Sequence, residues 1–124
     1  MYSKSPKAKR VEFRCPDPTA NGYLLWPAML MAMLDGIQRD LEPPTPLDKN
    51  IYELSGEALA SIPKVPGTLG EAVDALELDH KFLLAGGVFT EDLIQSWIGW
   101  KREEELKELA LRPHPYEFHL YYDS

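Results

Sequence analysis

The helical character of this chain is decided by residues 86–109, which read GGVFTEDLIQSWIGWKREEELKEL. The glycine pair stops the preceding segment, and Thr90 is placed to cap a helix predicted over residues 91–109. The charged far end is typical of a solvated helical face, with an i,i+4 pair such as Glu103 and Lys107. The apolar side of the predicted helix is formed by Leu93, Ile94, Trp97, Ile98 and Trp100.

Two more helices are predicted before this one. Thr19 or Asn21 can cap the first, which ends near residue 39. Pro27 is best tolerated if the first turn lies near residue 25. Thr68 and Glu71 form a capping-box pattern before the second, which covers about residues 69–79. Between the two helices lies a proline-rich loop, residues 41–68, with one helical turn expected at residues 56–60.

An N-terminal strand is predicted from residues 9–15, which read KRVEFRC and alternate polar with apolar side chains. Arg10, Glu12 and Arg14 would then share one face, with roughly 7 Å between successive members. One explanation is a surface charge ladder along a sheet edge. The functional alternative is a face that binds phosphate and metal, because arginines clamp anions and a carboxylate offers Mg²⁺ a hard oxygen.

The elements together predict an α+β fold that is mostly helical. It has the N-terminal strand, three main helices, the long proline-rich loop and a C-terminal aromatic tail at residues 116–122. A chain of 124 residues predicts one domain. A domain of this size is expected to bury roughly two-thirds of its unfolded surface.

Charge is distributed unevenly along the chain. The formal net charge of −7 divides into +4 over residues 1–14 and −11 over the rest. An acidic body argues against nucleic-acid binding, including a DNA-binding helical protein, because such proteins present a basic face. The longest apolar run, residues 23–34, is too short to span a membrane. A single cysteine excludes an internal disulfide and favours a cytoplasmic location.

Few other residues suggest chemistry. Cys15 is expected to be a buried small hydrophobe rather than a nucleophile. His80, His114 and His119 lack the spacing of a zinc site. Tyr52 is by default a half-buried anchor of the loop, although an exposed tyrosine there would be open to modification.

Eight segments, taken in order, resemble the C-terminal part of type I glutamine synthetase, the bacterial subtype regulated by adenylylation. They are KAKRVEFRCPDP at 7–18, AN at 20–21, YL at 23–24, LDGI at 34–37, DKNIYEL at 48–54, GGVFT at 86–90, KREE at 101–104 and PHPYEF at 113–118. The resemblance covers nearly the whole chain and identifies residues 1–124 as a C-terminal segment of that enzyme's catalytic domain.

The resemblance implies ATP-dependent ligation of ammonia to glutamate through γ-glutamyl phosphate. By matching position, Glu12 corresponds to a ligand of the divalent ion, Mg²⁺ or Mn²⁺, at the ATP phosphates. Arg10 and Lys7 correspond to groups that contact ATP, and Arg14 to the arginine that pairs with the glutamate carboxylate. Arg10 and Arg14 are therefore the expected catalytic residues, and Tyr52 matches the adenylylated tyrosine.

The resemblance also sets expectations about assembly. The family enzyme is a much longer chain that forms a dodecamer, and its helical tail docks into the opposite ring. We therefore expect this chain alone to be inactive, to hold no cofactor tightly, and to associate with itself or with the remaining synthetase segments. Residues 116–122 and 41–68 are the expected surfaces for self-association. The alternative is a free-standing, non-catalytic interaction module.

Overall fold

The structure, a computed structural model, describes Lys7 and residues 11–123. Its helices are α1 (Gly22–Gln38), α2 (Gly56–Ala60), α3 (Leu69–Leu78), α4 (Glu91–Trp100), α5 (Lys107–Ala110) and α6 (Pro115–Tyr121). A π-helical segment, Lys101–Leu106, joins α4 to α5, and 3-10 turns occupy Ile51–Glu53 and Lys81–Gly87. The three predicted main helices correspond to α1, α3 and the run from α4 to α5.

The predicted N-terminal strand is wrong, and with it the α+β class. Residues 11–15 have no regular secondary structure, and no strand occurs between residues 11 and 123. A strand needs a neighbour to pair its backbone N–H and C=O groups, and alternation supplies only the side-chain pattern. Val11 is 96% exposed because the described chain offers no surface for the strand's apolar side. The described fold is therefore helical.

Helix starts follow side-chain caps at the expected positions. The Thr68 and Thr90 hydroxyls accept hydrogen bonds from the backbone N–H groups of Glu71 and Leu93, each at 3.2 Å. The reciprocal half of the predicted capping box differs, because the Glu71 carboxylate accepts from the backbone N–H of Gly67 at 2.7 Å. These caps satisfy helix N–H groups that have no intrahelical partner.

Helix α1 begins at Gly22, and Asn21, one of its two predicted caps, is confirmed, because its side chain accepts from the Tyr23 N–H at 2.9 Å. Pro27 consequently lies inside the helix rather than in its first turn, and one backbone hydrogen bond is lost there. The aromatic tail forms helix α6. The predicted stop at Gly86 and Gly87 is confirmed, with left-handed φ angles of 66° and 69°.

The core is small and lies among α1, α3, the 3-10 turn Lys81–Gly87 and α4. Partly buried apolar side chains, among them Leu24 and Leu76, pack against it. Outside the core, the Arg102 guanidinium reaches back from the π-helical segment to Asp74 at 2.7 Å and Glu77 at 2.6 Å on α3. The buried core residues are Met31, Val73, Leu83, Phe89, Ile94 and Ile98.

Burial is much lower than the length predicts. The chain exposes 11329 Å² of solvent-accessible surface, whereas a folded monomer of this mass exposes about 6,700 Å². It buries about 45% of its unfolded surface instead of the expected two-thirds. The expectation is wrong because it assumes that a chain of this length encloses its own core.

Candidate functional site

Glu12 and Arg14 meet in the segment before α1. The Arg14 guanidinium donates a hydrogen bond to the Glu12 carboxylate at 2.6 Å. The Arg14 side chain is 86% exposed and that of Glu12 is 42% exposed. A strand would have held the two groups roughly 7 Å apart as separate clamps, whereas the observed backbone lets them neutralise each other. An exposed pair of this kind contributes little to stability, so an incoming anion or cation can exchange with either partner.

The remaining residues of the predicted ATP site are only partly within the described chain. Lys7 is described and exposed. Arg10 lies outside the described residues, so its place relative to Glu12 and Arg14 stays a prediction. Among the predicted site residues, the structure thus shows direct contact between one acidic side chain, Glu12, and one basic side chain, Arg14.

A complete metal site is absent from the described residues. No group of three or more His, Cys, Asp or Glu side chains between residues 11 and 123, or at Lys7, is arranged to hold an ion. Glu12 has the hard oxygen that Mg²⁺ prefers, but a single carboxylate supplies only one of about six ligands. The chemistry of Glu12 suits one ligand of such an ion and does not by itself make a site.

Tyr52 lies at the centre of the 3-10 turn Ile51–Glu53 and is 98% exposed. The Asn50 side chain caps this turn by accepting from the Tyr52 N–H at 3.2 Å, and it donates to Glu53 at 2.7 Å. The default expectation of a half-buried anchor is therefore wrong. A capped turn presents the Tyr52 ring to solvent, where a modifying group can reach the phenol oxygen.

Cys15 is also exposed, contrary to the expectation of a buried small hydrophobe. The expectation rested on residue type, since a free cysteine is among the residues most often buried. It is wrong because residues 11–15 all lie at the surface of the described chain.

Sequence reasoning missed a polar link between α3 and α4. The ring of His80 bonds the Leu76 carbonyl at 2.8 Å through Nδ1 and faces the Glu91 carboxylate at 3.2 Å through Nε2. The hydrogen bond to Leu76, aided by the Glu91 carboxylate, raises the pKa of His80 above its ordinary value. The signal was available, because His80 follows Leu76 by four residues at the end of a helix whose carbonyls need donors.

Two shallow clefts are separate from these residues. One, of about 290 Å³, lies between α1 and the turn Lys81–Gly87 and is lined by Met31, Leu34 and Phe82 among others. The other, of about 400 Å³, lies along α6 beside Phe118. Neither is lined by a cluster of titratable side chains that resembles a catalytic set. No described helix is long and apolar enough to cross a bilayer.

The sequence of this chain matches a known protein family. The family model described as "Glutamine synthetase, catalytic domain" matches residues 1–121. The chain belongs to the glutamine synthetase catalytic-domain family. The predicted resemblance is thereby confirmed, and it rests on residues from one end of the chain to the other.

The relatives are glutamine synthetases of diverse bacteria. That of Microchaete diplosiphon is 61% identical over 123 residues, which are 99% of this chain and 26% of the relative. Those of Frankia alni and Mycolicibacterium smegmatis are 59% and 56% identical, over 96% and 99% of this chain and 25% and 26% of theirs. The chain therefore spans about a quarter of the length of the curated relatives that it matches.

Proposed function

We propose that this chain forms part of a glutamine synthetase active site, as a C-terminal segment of the catalytic domain. The observation that carries the proposal is the 61% identity to a glutamine synthetase over 99% of the chain. The ion pair of Glu12 and Arg14 supports it, because side chains that are 42% and 86% exposed are accessible to a charged ligand. The reaction proposed for the assembled enzyme is ATP-dependent ligation of ammonia to glutamate.

The chemistry needs charges of both signs at one place. The γ-carboxylate oxygen of glutamate attacks the γ-phosphorus of ATP, and ADP leaves with the electrons of the broken P–O bond. Ammonia then attacks the carbonyl carbon of γ-glutamyl phosphate, phosphate departs, and the added nitrogen loses a proton to give glutamine. Negative charge accumulates on the phosphoryl oxygens, so positioned cations stabilise the transition state.

Each proposed role follows from the side chain's chemistry. Arg14 pairs with a carboxylate of the substrate glutamate, for which the planar guanidinium provides two parallel donors. Arg10 and Lys7 contact the phosphates of ATP. Glu12 supplies one oxygen to the divalent ion, Mg²⁺ or Mn²⁺, which offsets the phosphate charge when bound. In this proposal the Glu12–Arg14 pair separates when substrates bind, and each group gains a partner of opposite charge.

Tyr52 has a proposed regulatory role. Its 98% exposure and capped turn suit attack of the phenol oxygen on the α-phosphorus of ATP, with loss of pyrophosphate, in a modifying enzyme's active site. The product would be an adenylylated tyrosine, as in the regulated bacterial subtype. Assembly into a dodecamer and a location in the cytoplasm belong to the same proposal.

A chimeric enzyme tests the proposed function. The 123 matched residues of the Microchaete diplosiphon synthetase are replaced by this chain, and glutamine formation is measured. We expect activity within about tenfold of the parent, because 61% of the positions are identical. Glu12→Gln and Arg14→Gln should each lower kcat/KM at least 100-fold, since transition-state contacts of charged groups are worth several kcal/mol.

Glu57→Gln is the matched control, because it removes an exposed carboxylate on α2 that has no proposed role. It should leave the activity of the chimera unchanged. An inactive but correctly assembled chimera would support the non-catalytic interaction module instead. Glutamine formation by the purified chain alone would contradict the view that it holds only part of the site.

A further inference from the structure

The His80 ring lies between the end of α3 and the start of α4, and both of its nitrogens face acceptors. Nδ1 is 2.8 Å from the backbone carbonyl oxygen of Leu76 and 3.1 Å from that of Glu77. Nε2 is 3.2 Å and 3.3 Å from the two carboxylate oxygens of Glu91. Neutral imidazole carries one N–H and can donate to only one of these two sides, whereas imidazolium donates to both. The observed geometry therefore requires the charged ring.

The partner of the ring on α4 is an anion. Glu91 accepts a hydrogen bond from Gln95 Nε2 at 2.9 Å. This hydrogen bond, together with His80, holds the pKa of Glu91 below its ordinary value. The Glu91 carboxylate therefore has no proton to donate to a neutral ring. The link between α3 and α4 depends on the proton that His80 itself carries.

The other charged groups around the ring are paired or exposed. From α3, the Glu77 carboxylate also faces the ring, but Arg102 of the π-helical segment binds it at 2.6 Å. Asp79 and Lys81, the charged neighbours of the ring in the chain, are exposed. Loss of the ring proton therefore acts mainly on the contact with Glu91.

This contact joins the two ends of a loop. The 3-10 turn Lys81–Gly87 and residues 88–90 form the segment, which we call the 81–90 loop. The loop contributes Leu83 and Phe89 to the core, and the Phe89 N–H donates to the Leu83 carbonyl at 3.2 Å. It also forms one wall of the cleft of about 290 Å³ beside α1. A change at the ends of this loop therefore reaches both the core and the cleft.

We propose that protonation of His80 is a switch that holds the 81–90 loop closed, and that the neutral ring releases it. On deprotonation Nδ1 keeps its proton, because it faces the part-buried carbonyl of Leu76, and Nε2 loses its own. The Nε2 lone pair then repels the Glu91 carboxylate, which is 55% exposed and turns into solvent. The loop loses the link between its ends and opens locally more often. The switch involves none of the candidate site residues, so it is independent of the proposed function.

Histidine titration and amide exchange on the purified chain test the switch. The NMR signals of the His80 ring give its protonation state, and protection of the Leu83 and Phe89 N–H groups against hydrogen exchange reports loop opening. Protection is compared below pH 6.5 and above the measured pKa of His80, after correction for the intrinsic pH dependence of exchange. We expect it to fall at least about threefold as the ring loses its proton, because one contact with an exposed charge stabilises modestly.

Glu91→Gln separates the switch from the rest of the fold. A side-chain amide can accept from an N–H or donate to a lone pair, so it suits either form of the ring. This variant should lower the pKa of His80 and make the protection of both loop amides independent of that titration. Asp92→Asn is the matched control, because it removes the neighbouring exposed carboxylate in the first turn of α4. It should behave like the unmodified chain.

Three results would overturn the inference. Equal protection on the two sides of the His80 pKa in the unmodified chain would show that the proton does not hold the loop. An equally large fall in Glu91→Gln would assign the change to another group. Exchange of the two loop amides that rises with urea as steeply as global unfolding would make the whole fold, rather than the loop, the unit that opens.

Discussion

Two regions of this chain differ in how much of their structure is stabilised by buried side chains. The helices from α3 to α5, with α1 against them, enclose all six buried residues and are joined by His80 and Arg102. Residues 11–21 and 39–68 carry Glu12, Arg14 and Tyr52, and none of their side chains is buried. The first region is stabilised by packing within the chain, whereas the second keeps these three side chains at the surface. The difference separates the residues that stabilise the described fold from those that were selected as candidates for chemistry.

The largest expected effect comes from the core. Ile98 is 3% exposed, so Ile98→Ala should lower the free energy of unfolding by about 2–5 kcal/mol through lost burial and a cavity. Urea denaturation followed by circular dichroism measures the change. Val11→Ala is the control and should change the free energy by less than about 0.5 kcal/mol, since Val11 is exposed. Equal losses for the two variants would remove the distinction between the regions.

A smaller effect is expected from the cap of α4. Thr90→Ala removes the oxygen that accepts from the Leu93 N–H, and it should cost about 1 kcal/mol of unfolding free energy. Thr90→Ser keeps that oxygen and should retain most of the stability. Asn50→Ala removes a cap in the second region and should leave the same unfolding transition unmoved. A shift as large as that of Thr90→Ala would show that the loop is coupled to the core.

The link through His80 predicts a pH dependence. Its raised folded pKa means that protonation stabilises the folded state, with the Nδ1 hydrogen bond to Leu76 and the facing Glu91 carboxylate as causes. Glu77, held by Arg102, also lies near His80, with its backbone carbonyl 3.1 Å from Nδ1. This stabilisation is fully present below the ordinary pKa of 6.5 and is lost as pH rises through the raised value.

The unfolding free energy should therefore fall as the pH rises from 6.5 through the raised pKa of His80, and His80→Gln should flatten that fall. Thermal denaturation across this range measures it. His119→Gln changes an exposed histidine on α6 and should keep the slope of the unmodified chain. A slope that persists in His80→Gln would assign the pH dependence to another group.

The smallest effect on stability is expected at the candidate site. Glu12→Gln breaks an exposed ion pair, so the unfolding free energy of the isolated chain should change by no more than about 0.5 kcal/mol. Urea denaturation at low and high salt measures this. The same substitution should lower kcat/KM of the chimera at least 100-fold. That combination would show that Glu12 acts in the reaction and not in stabilising the fold. A large loss of stability would instead make Glu12 a structural residue.

Local signals in the sequence were sufficient for most helices. Thr68, Thr90 and the glycine pair at residues 86–87 act within one turn of their own positions, so their effects did not depend on distant residues. The pair of Glu103 and Lys107, at 2.8 Å, is confirmed for the same reason. The Asn21 cap of α1 is confirmed, but the first turn was expected near residue 25 because the cost of Pro27 was overestimated for a helix that gains packing elsewhere.

The sequence by itself determined the family, the helix caps and the identity of the candidate site residues, because each depends on residue type and near neighbours. Only the tertiary structure decided that residues 11–15 are not a strand, that Tyr52 and Cys15 are exposed, and that α1 keeps an uncovered apolar face. A strand needs a neighbouring strand to pair with, and an apolar face needs another surface to be buried against. The sequence pattern shows only which side chains would face that neighbour or surface. The exposed area of 11329 Å², against about 6,700 Å² for a folded monomer of this mass, shows how little of that second surface this chain provides for itself.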